Sequence, residues 1–207
     1  MTRLFEDSEI SLGPDALILR GFAAGSLTAL ITEITEGAPF RHMITPGGFK
    51  MSVGMTSCGE LGWVTDRKGY RYSAVDPESG KPWPPMPPEF LNLAQRAAAA
   101  AGFPNFIPDA CLINRYAVGA KMSLHQDKDE RDLQQPIVSV SLGLPAVFQF
   151  GGLDRRDPVR RVHLEHADVV VWGGASRLAY HGVMPLKDGV HPELGSCRIN
   201  LTFRRAS

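Results

Sequence analysis

The stretch LINRYAVGAKMSLHQD, residues 112–127, decides the expected fold and carries the first candidate site. It holds a strand-like run around Asn114 and Tyr116, a break at Gly119, and a His-x-Asp tripeptide at its end. From residue 110 onward the chain consists of short Val- and Ile-rich runs punctuated by Gly, Pro and Asp. This pattern is typical of a two-sheet β-sandwich or jelly roll. We therefore predict a mainly β protein with flanking helices and a jelly-roll core over about residues 110–205.

Two His-x-Asp tripeptides occur in the chain, and spacing alone does not choose between them. His125-Gln-Asp127 precedes the hydrophilic run 128–132, which suits a rim open to solvent and substrate. His166-Ala-Asp168 sits directly before an apolar run at 169–172 and is better explained as a polar turn entering a buried strand. An octahedral ferrous ion that is bound by two imidazoles and one carboxylate keeps three coordination positions open. We therefore predict an iron site at His125 and Asp127, with His181 as the third ligand.

The C-terminal run from Arg198 to Arg204 alternates polar and apolar residues, as in a strand with one polar face. A solvated outer face is the ordinary interpretation of such a pattern. Six residues separate the two arginines, so their Cα atoms lie about 20 Å apart along a strand. The alternative is therefore that they hold opposite ends of a short dicarboxylate, with Asn114 and Tyr116 adding neutral hydrogen bonds.

Composition predicts a single domain spanning residues 1–207, because a chain of 207 residues that is 43% hydrophobic can bury one sizeable core. No run of 18 apolar residues and no apolar N-terminal signal region occur, so we expect neither membrane insertion nor export. The three cysteines are widely spaced and form no Cys-x-x-Cys, which favours free thiols in a reducing cytoplasm. Nothing in the sequence indicates obligate association, so we expect a monomer.

Charge argues against strong nonspecific nucleic-acid binding, because 22 basic residues balance 22 acidic ones. Any such contact has to be local. Basic residues are frequent in the segment 39–85, and four arginines cluster within residues 155–161. Clusters of this kind are usually only solvated surface, so they support nucleic-acid binding without establishing it.

Two helices and a lid are expected outside the jelly roll. Residues 26–36 place apolar side chains on one helical face, and a second helix is expected from Pro87-Pro88 through an Ala-rich run that ends at Gly102. Both should cover the outside of a sheet. The stretch from about residue 40 to 88 is rich in Gly, Pro, Met and aromatic residues, which in compact domains is typical of a binding loop. We predict that it forms a substrate lid over the iron.

Taken in order, these motifs resemble the AlkB family of alkylated-DNA-repair dioxygenases in the iron(II)/2-oxoglutarate superfamily. The similarity runs from about residue 40 to 204 and includes residues 139–144 and 148–152. The resemblance implies a double-stranded β-helix fold with an N-terminal substrate lid and a requirement for Fe(II), 2-oxoglutarate and O2. It assigns the metal ligands as His125, Asp127 and His181, and the 2-oxoglutarate ligands as Asn114, Tyr116, Arg198, Asn200 and Arg204.

The resemblance also implies a reaction and a set of substrate contacts. The reaction is oxidative demethylation of N-alkylated bases, releasing succinate, CO2 and formaldehyde, and the target base leaves its stack to reach the iron. The implied partner is single-stranded DNA, with double-stranded DNA and RNA as alternatives. Trp63 is expected to stack on the base, and Asp129 to accept from its exocyclic amine. The remaining expected contacts are phosphate contacts from Tyr70, Arg71 and Tyr72, and Arg155 at the pocket border.

Two alternatives to DNA repair stay open at this point. The same iron site can serve an oxygenase that acts on tRNA, a protein side chain or a small molecule, although Trp63 and the basic lid disfavour the last. The other alternative is a noncatalytic jelly-roll module whose polar strand face binds a ligand or a structural metal. Such a module would show no turnover with ferrous iron, ascorbate and 2-oxoglutarate.

Overall fold

The computed structural model describes residues 8–23 and 25–207, which form strands β1 to β13 and helices α1 and α2. In chain order the elements are β1 (Glu9–Gly13), β2 (Ala16–Leu19), α1 (Thr28–Gly37), β3 (Gly54–Gly59), β4 (Gly62–Asp66), β5 (Gly69–Ser73), α2 (Pro88–Ala100), β6 (Ala110–Ala117), β7 (Met122–His125), β8 (Ile137–Gly143), β9 (Ala146–Phe150), β10 (Arg160–Leu164), β11 (Val169–Trp172), β12 (His181–Val183) and β13 (Cys197–Arg204).

Two antiparallel sheets make up the body of the fold. The large sheet has seven strands in the order β1-β2-β11-β8-β13-β6-β3, and the small sheet has four in the order β10-β9-β12-β7. One apolar cluster draws side chains from both sheets, including Leu112 and Trp172 from the large one and Phe148 and Val183 from the small one. The prediction of a mainly β, jelly-roll fold with flanking helices is confirmed.

The helices cover the outer face of the large sheet, as expected. A second apolar cluster joins Ile31 and Ile34 of α1 and Phe90 of α2 to buried residues of β8, β11 and β13. Helix α2 begins with Pro88, whose fixed φ and missing N–H suit a first helical position. It ends just before Gly102, whose φ of +90° is a conformation that glycine adopts without strain.

The large sheet extends further toward the N-terminus than we predicted. Strand β2 pairs with β11, and β1 pairs with β2, so the sheet is not confined to residues 110–205. Strand β3 pairs with β6 along its whole length, so residues 54–59 are part of the large sheet and not of a lid. The two-stranded hairpin formed by β4 and β5 lies outside both sheets.

The cysteines agree with the expectation of free thiols. Cys58, Cys111 and Cys197 are free thiols, and the first two are fully buried opposite each other on β3 and β6. Within the described part of the chain, no helix combines the length and the apolar character needed to cross a bilayer.

Candidate active site

Three side chains that are distant in sequence meet at one end of the small sheet. His125 is the last residue of β7, His181 is the first residue of β12, and the two are direct cross-strand partners. Asp127 lies in the loop that follows β7. Its two carboxylate oxygens are each 3.6 Å from an imidazole Nε2, one from His125 and the other from His181. The candidate ligand atoms all lie within 4.8 Å of one another.

The pairing of β12 with β7 depends on Gly182. A Cβ atom at this position would lie 2.7 Å from the carbonyl oxygen of Met122, much closer than such atoms approach in proteins. The absence of a side chain at Gly182 therefore lets the two strands come close enough to bring their histidines together.

Backbone hydrogen bonds orient both imidazoles. Nδ1 of His125 lies 2.9 Å from the carbonyl oxygen of Ser123, and Nδ1 of His181 lies 3.0 Å from that of Ala179. A carbonyl oxygen only accepts hydrogen bonds, so each Nδ1 carries the proton and each Nε2 keeps its lone pair. Both lone pairs are therefore available on the side of the rings that faces Asp127.

The local electrostatics favour the protonation states that a metal needs. Burial opposes ionisation of Asp127, but the Arg204 guanidinium and the two imidazoles hold the pKa of Asp127 well below its ordinary value. Burial and the neighbouring His125 lower the pKa of His181. At His125, burial lowers the pKa, but the Asp127 carboxylate outweighs it and raises the pKa overall. An anionic carboxylate beside a neutral imidazole fits a divalent metal, and binding would displace any proton from His125.

The rival His-x-Asp pair has a structural role. Asp168 is buried and pairs with Arg20, and it also accepts hydrogen bonds from the backbone amides of Gly21 and Glu165. His166 accepts a hydrogen bond from the backbone amide of Gly143. The two residues thus fix the turn into β11, which confirms the interpretation as a polar turn.

A cavity of about 850 Å³ opens beside the three candidate ligands, and Arg198 lies in its wall. Arg198 is 1% exposed, and only one of its nitrogens is bonded, 3.0 Å from the hydroxyl oxygen of Ser141. Its Nε and Nη1 have no hydrogen-bond partner among the described residues, and the guanidinium stacks over the Tyr116 ring at 5.0 Å. Burial lowers the pKa of Arg198. A buried cation with free donors fits an anionic ligand such as the carboxylate of 2-oxoglutarate.

The polar face of β13 is buried, so its interpretation as a solvated outer face is wrong. Asn200 pairs across the sheet with Asn114, whose amide nitrogen is 3.4 Å from the Asn200 side-chain oxygen. The Asn200 amide donates to Ser139, and Thr202 donates to Asn200. The Asn114 side-chain oxygen accepts no hydrogen bond, although it is buried. Asn114 therefore keeps free acceptor capacity in the cavity wall, while Asn200 is largely occupied within the sheet.

Arg204 differs from Arg198 because protein carboxylates already surround it. Its Nη2 is 2.5 Å from the Asp127 carboxylate, and its Nε is 3.3 Å from that of Glu130. Both arginines line the cavity, and the expectation that they hold opposite ends of one dicarboxylate stays a prediction. Arg198 is the available anion site, and Arg204 is first of all the partner of Asp127.

Aromatic and acidic side chains occupy the entrance of the cavity. The Trp63 indole N–H donates to the Asp129 carboxylate at 2.8 Å. Tyr70 stacks on Trp63 with ring centroids 5.6 Å apart and is half exposed. All three residues line the cavity, as does Arg155, whose guanidinium lies 5.7 Å from the ring centroid of Tyr180. The structure thus brings four of the six predicted substrate residues to the cavity entrance.

The other two predicted substrate residues are engaged elsewhere. The Tyr72 hydroxyl donates to the Glu130 carboxylate at 2.6 Å and lies 3.4 Å from Arg204, so it is engaged within the fold, and its expected phosphate contact stays a prediction. Arg71 makes a salt bridge of 2.8 Å with Asp66 inside its own hairpin. That guanidinium lowers the pKa of Asp66 to about 2. Arg71 stays partly exposed, but its charge is already neutralised.

Two buried charges were missed by the sequence analysis. Glu130 lies in the run 128–132 that we expected to form an exposed rim, yet its side chain is 2% exposed and pairs with Arg177 at 3.0 Å. Arg177 also donates to the backbone carbonyl of Asp127 at 2.7 Å. Neither residue stands in a recognisable motif, because each is identified only by a partner distant in sequence.

Comparison with known proteins agrees with this geometry. The model of the 2OG-Fe(II) oxygenase superfamily matches residues 15–204. The alpha-ketoglutarate-dependent dioxygenase AlkB of Escherichia coli strain K12 is 63% identical over 212 residues, which cover 100% of this chain and 98% of that protein. The chain belongs to the AlkB family. The resemblance inferred from the sequence motifs is therefore confirmed.

More distant relatives share the same framework. The DNA N(6)-methyladenine demethylase ALKBH1C of Arabidopsis thaliana is 32% identical over 171 residues, covering 70% of this chain and 38% of that protein. The solved structure of OsALKBH1 superimposes with a TM-score of 0.82 at 29% identity, covering 95% of this chain and 99% of that one. This AlkB-family protein is thus a dioxygenase that depends on Fe(II), 2-oxoglutarate and O2.

Proposed function

We propose that this AlkB-family enzyme oxidatively demethylates N-alkylated bases, such as 1-methyladenine and 3-methylcytosine, in DNA. The observation that carries the proposal is one cavity that joins the His125, Asp127 and His181 cluster to an aromatic entrance at Trp63 and Tyr70. A flat aromatic surface next to a redox metal suits a planar base that carries its alkyl group toward the iron. The name of one relative, a DNA N(6)-methyladenine demethylase, supports the same substrate class.

Each group of side chains has a separate task in the proposed reaction. When bound, Fe(II) with 2-oxoglutarate lets O2 oxidise the alkyl carbon, and the products are succinate, CO2 and, from a methyl group, formaldehyde. His125, Asp127 and His181 would hold the metal through two imidazole nitrogens and one carboxylate. Arg198 binds a carboxylate of 2-oxoglutarate with its two unpaired donors, and Asn114 and Tyr116 line the same end of the cavity. Asn200 and Arg204 of β13 also line the cavity and are the remaining proposed 2-oxoglutarate ligands.

The cavity entrance would select the base. Trp63 stacks against the extruded base, which contributes about 1–3 kcal/mol regardless of sequence. Asp129 accepts from the exocyclic amine and stabilises the positive charge that methylation places on adenine or cytosine. Its hydrogen bond to the indole N–H of Trp63 orients that carboxylate before the base arrives. Tyr70 and Arg155 border the entrance, and Arg71 reaches a phosphate only by leaving Asp66.

The lid, the nucleic-acid partner and the cellular location are further parts of the proposal. Residues 40–53 and the β4–β5 hairpin form the nucleotide-recognition lid of a single domain, without the β3 segment that belongs to the large sheet. We expect a monomer in the cytoplasm that prefers single-stranded DNA, because an unpaired base is extruded at a lower free-energy cost. Double-stranded DNA and RNA are the alternative partners.

A methylated oligonucleotide tests the proposal directly. Single-stranded DNA with one 1-methyladenine is incubated with enzyme, ferrous iron and ascorbate, with and without 2-oxoglutarate. We expect formaldehyde and the unmethylated strand, detected by mass spectrometry, only when 2-oxoglutarate is present. Duplex DNA, methylated RNA and methylated peptides serve as parallel substrates. Formaldehyde from the peptides alone would refute a nucleic-acid substrate, and silence with every substrate would favour a noncatalytic binding module.

Two variants separate metal chemistry from base binding in the same assay. Asp127→Ala should abolish 2-oxoglutarate-dependent succinate formation, because the metal loses its carboxylate ligand. Trp63→Ala should weaken use of the oligonucleotide about tenfold or more while slow succinate formation without substrate continues. Complete loss of that background in both folded variants would argue against separate roles.

A further inference from the structure

The loop of residues 127–130 joins the metal site to the β4–β5 hairpin. Asp127 is the proposed metal ligand, Asp129 accepts from Trp63 of β4, and Glu130 accepts from Tyr72 of β5. One short loop thus contacts both functional parts of the cavity. The residues that hold this loop in place set the position of the Asp127 carboxylate.

Glu130 lies at the centre of the contacts that hold the loop. One carboxylate oxygen accepts from the Tyr72 hydroxyl at 2.6 Å and lies 3.3 Å from Nε of Arg204. The other oxygen accepts from Arg177 at 3.0 Å. The Glu130 side chain is 2% exposed, so water does not replace these partners if one is lost.

Arg177 fixes the backbone of the same loop. Its Nη1 donates to the carbonyl oxygen of Asp127 at 2.7 Å, and its Nε donates to that of Gln135 at 2.8 Å. With the bond to Glu130, the planar guanidinium reaches three points of the segment 127–135. A lysine has the same charge but lacks this rigid fork, so it cannot make the three contacts together.

Glu130 and Arg177 together form a clamp on this loop. Arg204 connects the clamp to the side chain of Asp127. Its Nε and Nη2 both donate to the same oxygen of Asp127, at 3.1 and 2.5 Å, while Nε also lies near Glu130. Glu130 therefore competes with Asp127 for a single guanidinium. Without the negative charge of Glu130, Arg204 would pair with Asp127 alone and would draw that carboxylate away from the imidazoles.

We propose that Glu130 and Arg177 are positioning residues that keep Asp127 aimed at the metal. Glu130 takes up part of the charge of Arg204, and Arg177 holds the backbone from which Asp127 projects. Partners of metal ligands in other proteins typically change metal affinity by about 10- to 100-fold when they are mutated. The proposal concerns the metal site. This site is part of the proposed function, and it would be the same in an oxygenase of this fold that acts on another substrate.

Titration with Mn(II), followed by the EPR signal of the free ion, tests the clamp without any turnover. We expect Glu130→Gln and Arg177→Lys each to weaken Mn(II) binding about tenfold or more. Asp132→Asn is the matched control, because it removes one negative charge from the same segment and contacts only Gln134 and Gln135. It should bind Mn(II) within about twofold of wild type. Arg177→Lys keeps the positive charge, so weaker Mn(II) binding by this variant cannot result from a change in net charge.

A second readout separates positioning from loss of structure. The Fe(II) concentration for half-maximal succinate formation should rise in Glu130→Gln, and saturating iron should restore most of the rate. A merely structural defect would lower the maximum and leave the iron dependence unchanged. If Glu130→Gln does not fold, Tyr72→Phe removes one hydroxyl partner of Glu130 and should weaken Mn(II) binding by about threefold.

Unchanged Mn(II) affinity in folded Glu130→Gln and Arg177→Lys would overturn the proposal, as would equal weakening in Asp132→Asn. If Tyr72→Phe is the only variant that folds well, unchanged Mn(II) affinity in that variant overturns the proposal. None of these outcomes depends on the substrate. If no methylated oligonucleotide is consumed by wild type, the proposed function fails while the Mn(II) titration still decides the role of the clamp.

Discussion

Arg198 is the cavity residue whose buried charge most needs a partner of opposite charge. A fully buried guanidinium with two unpaired donors is unfavourable in an empty protein, because desolvation of a charge is offset only by hydrogen bonds and an opposite charge. Ser141 supplies one hydroxyl and Tyr116 an aromatic face, and no carboxylate of the described residues pairs with it. We propose that a carboxylate of 2-oxoglutarate supplies this anion.

Arg198→Lys should therefore raise the KM for 2-oxoglutarate by about tenfold or more and change kcat less, because a lysine cannot reproduce a forked contact. Steady-state succinate formation over a range of 2-oxoglutarate concentrations measures both constants. Arg156→Lys is the matched control, because Arg156 is exposed and pairs only with Asp154. An unchanged KM in Arg198→Lys would mean that the cosubstrate carboxylate binds elsewhere.

At the scale of elements, an ion pair fastens the loop after β5 to the segment before β3. Arg41 contacts the buried Asp76 at 2.6 Å and the exposed Glu78 at 3.2 Å, and its guanidinium lies over the Trp83 ring. Asp76 also accepts hydrogen bonds from the backbone amide of Glu78 and the hydroxyl of Ser79. This connection anchors the proposed lid at its base and leaves the β4–β5 hairpin above it.

The anchor predicts a specific loss of stability in acid. Burial raises the pKa of Asp76, but the bonds from Arg41, Glu78 and Ser79 outweigh it and lower the pKa to about 2. A depressed folded pKa stabilises the protein above the unfolded value of 3.8, and that contribution is lost as the pH falls toward 2. Asp76→Asn should therefore reduce the free energy of unfolding by roughly 1–2 kcal/mol at neutral pH.

Urea unfolding followed by circular dichroism at pH 7 and pH 3 measures this effect. The difference between wild type and Asp76→Asn should shrink at the lower pH, because at pH 3 the unfolded chain binds a proton at Asp76 that the folded protein, with its pKa of about 2, largely does not. Asp188→Asn provides an exposed acid-to-amide control with little expected change. A difference that stays constant between the two pH values would exclude Asp76 as the titrating group.

The whole molecule has no net charge, so its affinity for DNA has to come from the cavity entrance. Four exposed cations line the cavity, namely Lys50, Lys121, Lys128 and Arg155. Each phosphate contact on a single strand contributes a slope of about −0.7 to the dependence of log K on log salt. The slope for a methylated single strand should therefore lie between about −1 and −3, measured by fluorescence anisotropy at several salt concentrations. A much steeper slope would require a basic surface beyond this entrance.

Sequence patterns predicted the fold class and the clustering of His125, Asp127 and His181 better than they predicted burial. The alternation along β13 is the same whether its polar face meets solvent or a cavity, so only the structure distinguishes the two. A charged run predicts exposure on average, and Glu130 breaks that rule because Arg177 and Arg204 neutralise it. Strand β2 has four residues, which is too short for its pairing with β11 to be inferred from periodicity.

The cross-strand pairing of His125 with His181 has a consequence for biosynthesis. A growing polypeptide on the ribosome lacks the third ligand until β12 has emerged, and the two imidazoles meet only after the small sheet has closed. Incomplete chains thus lack the full set of three candidate metal ligands. Loading of the metal becomes a late event in maturation, reserved for chains that have already reached their native arrangement.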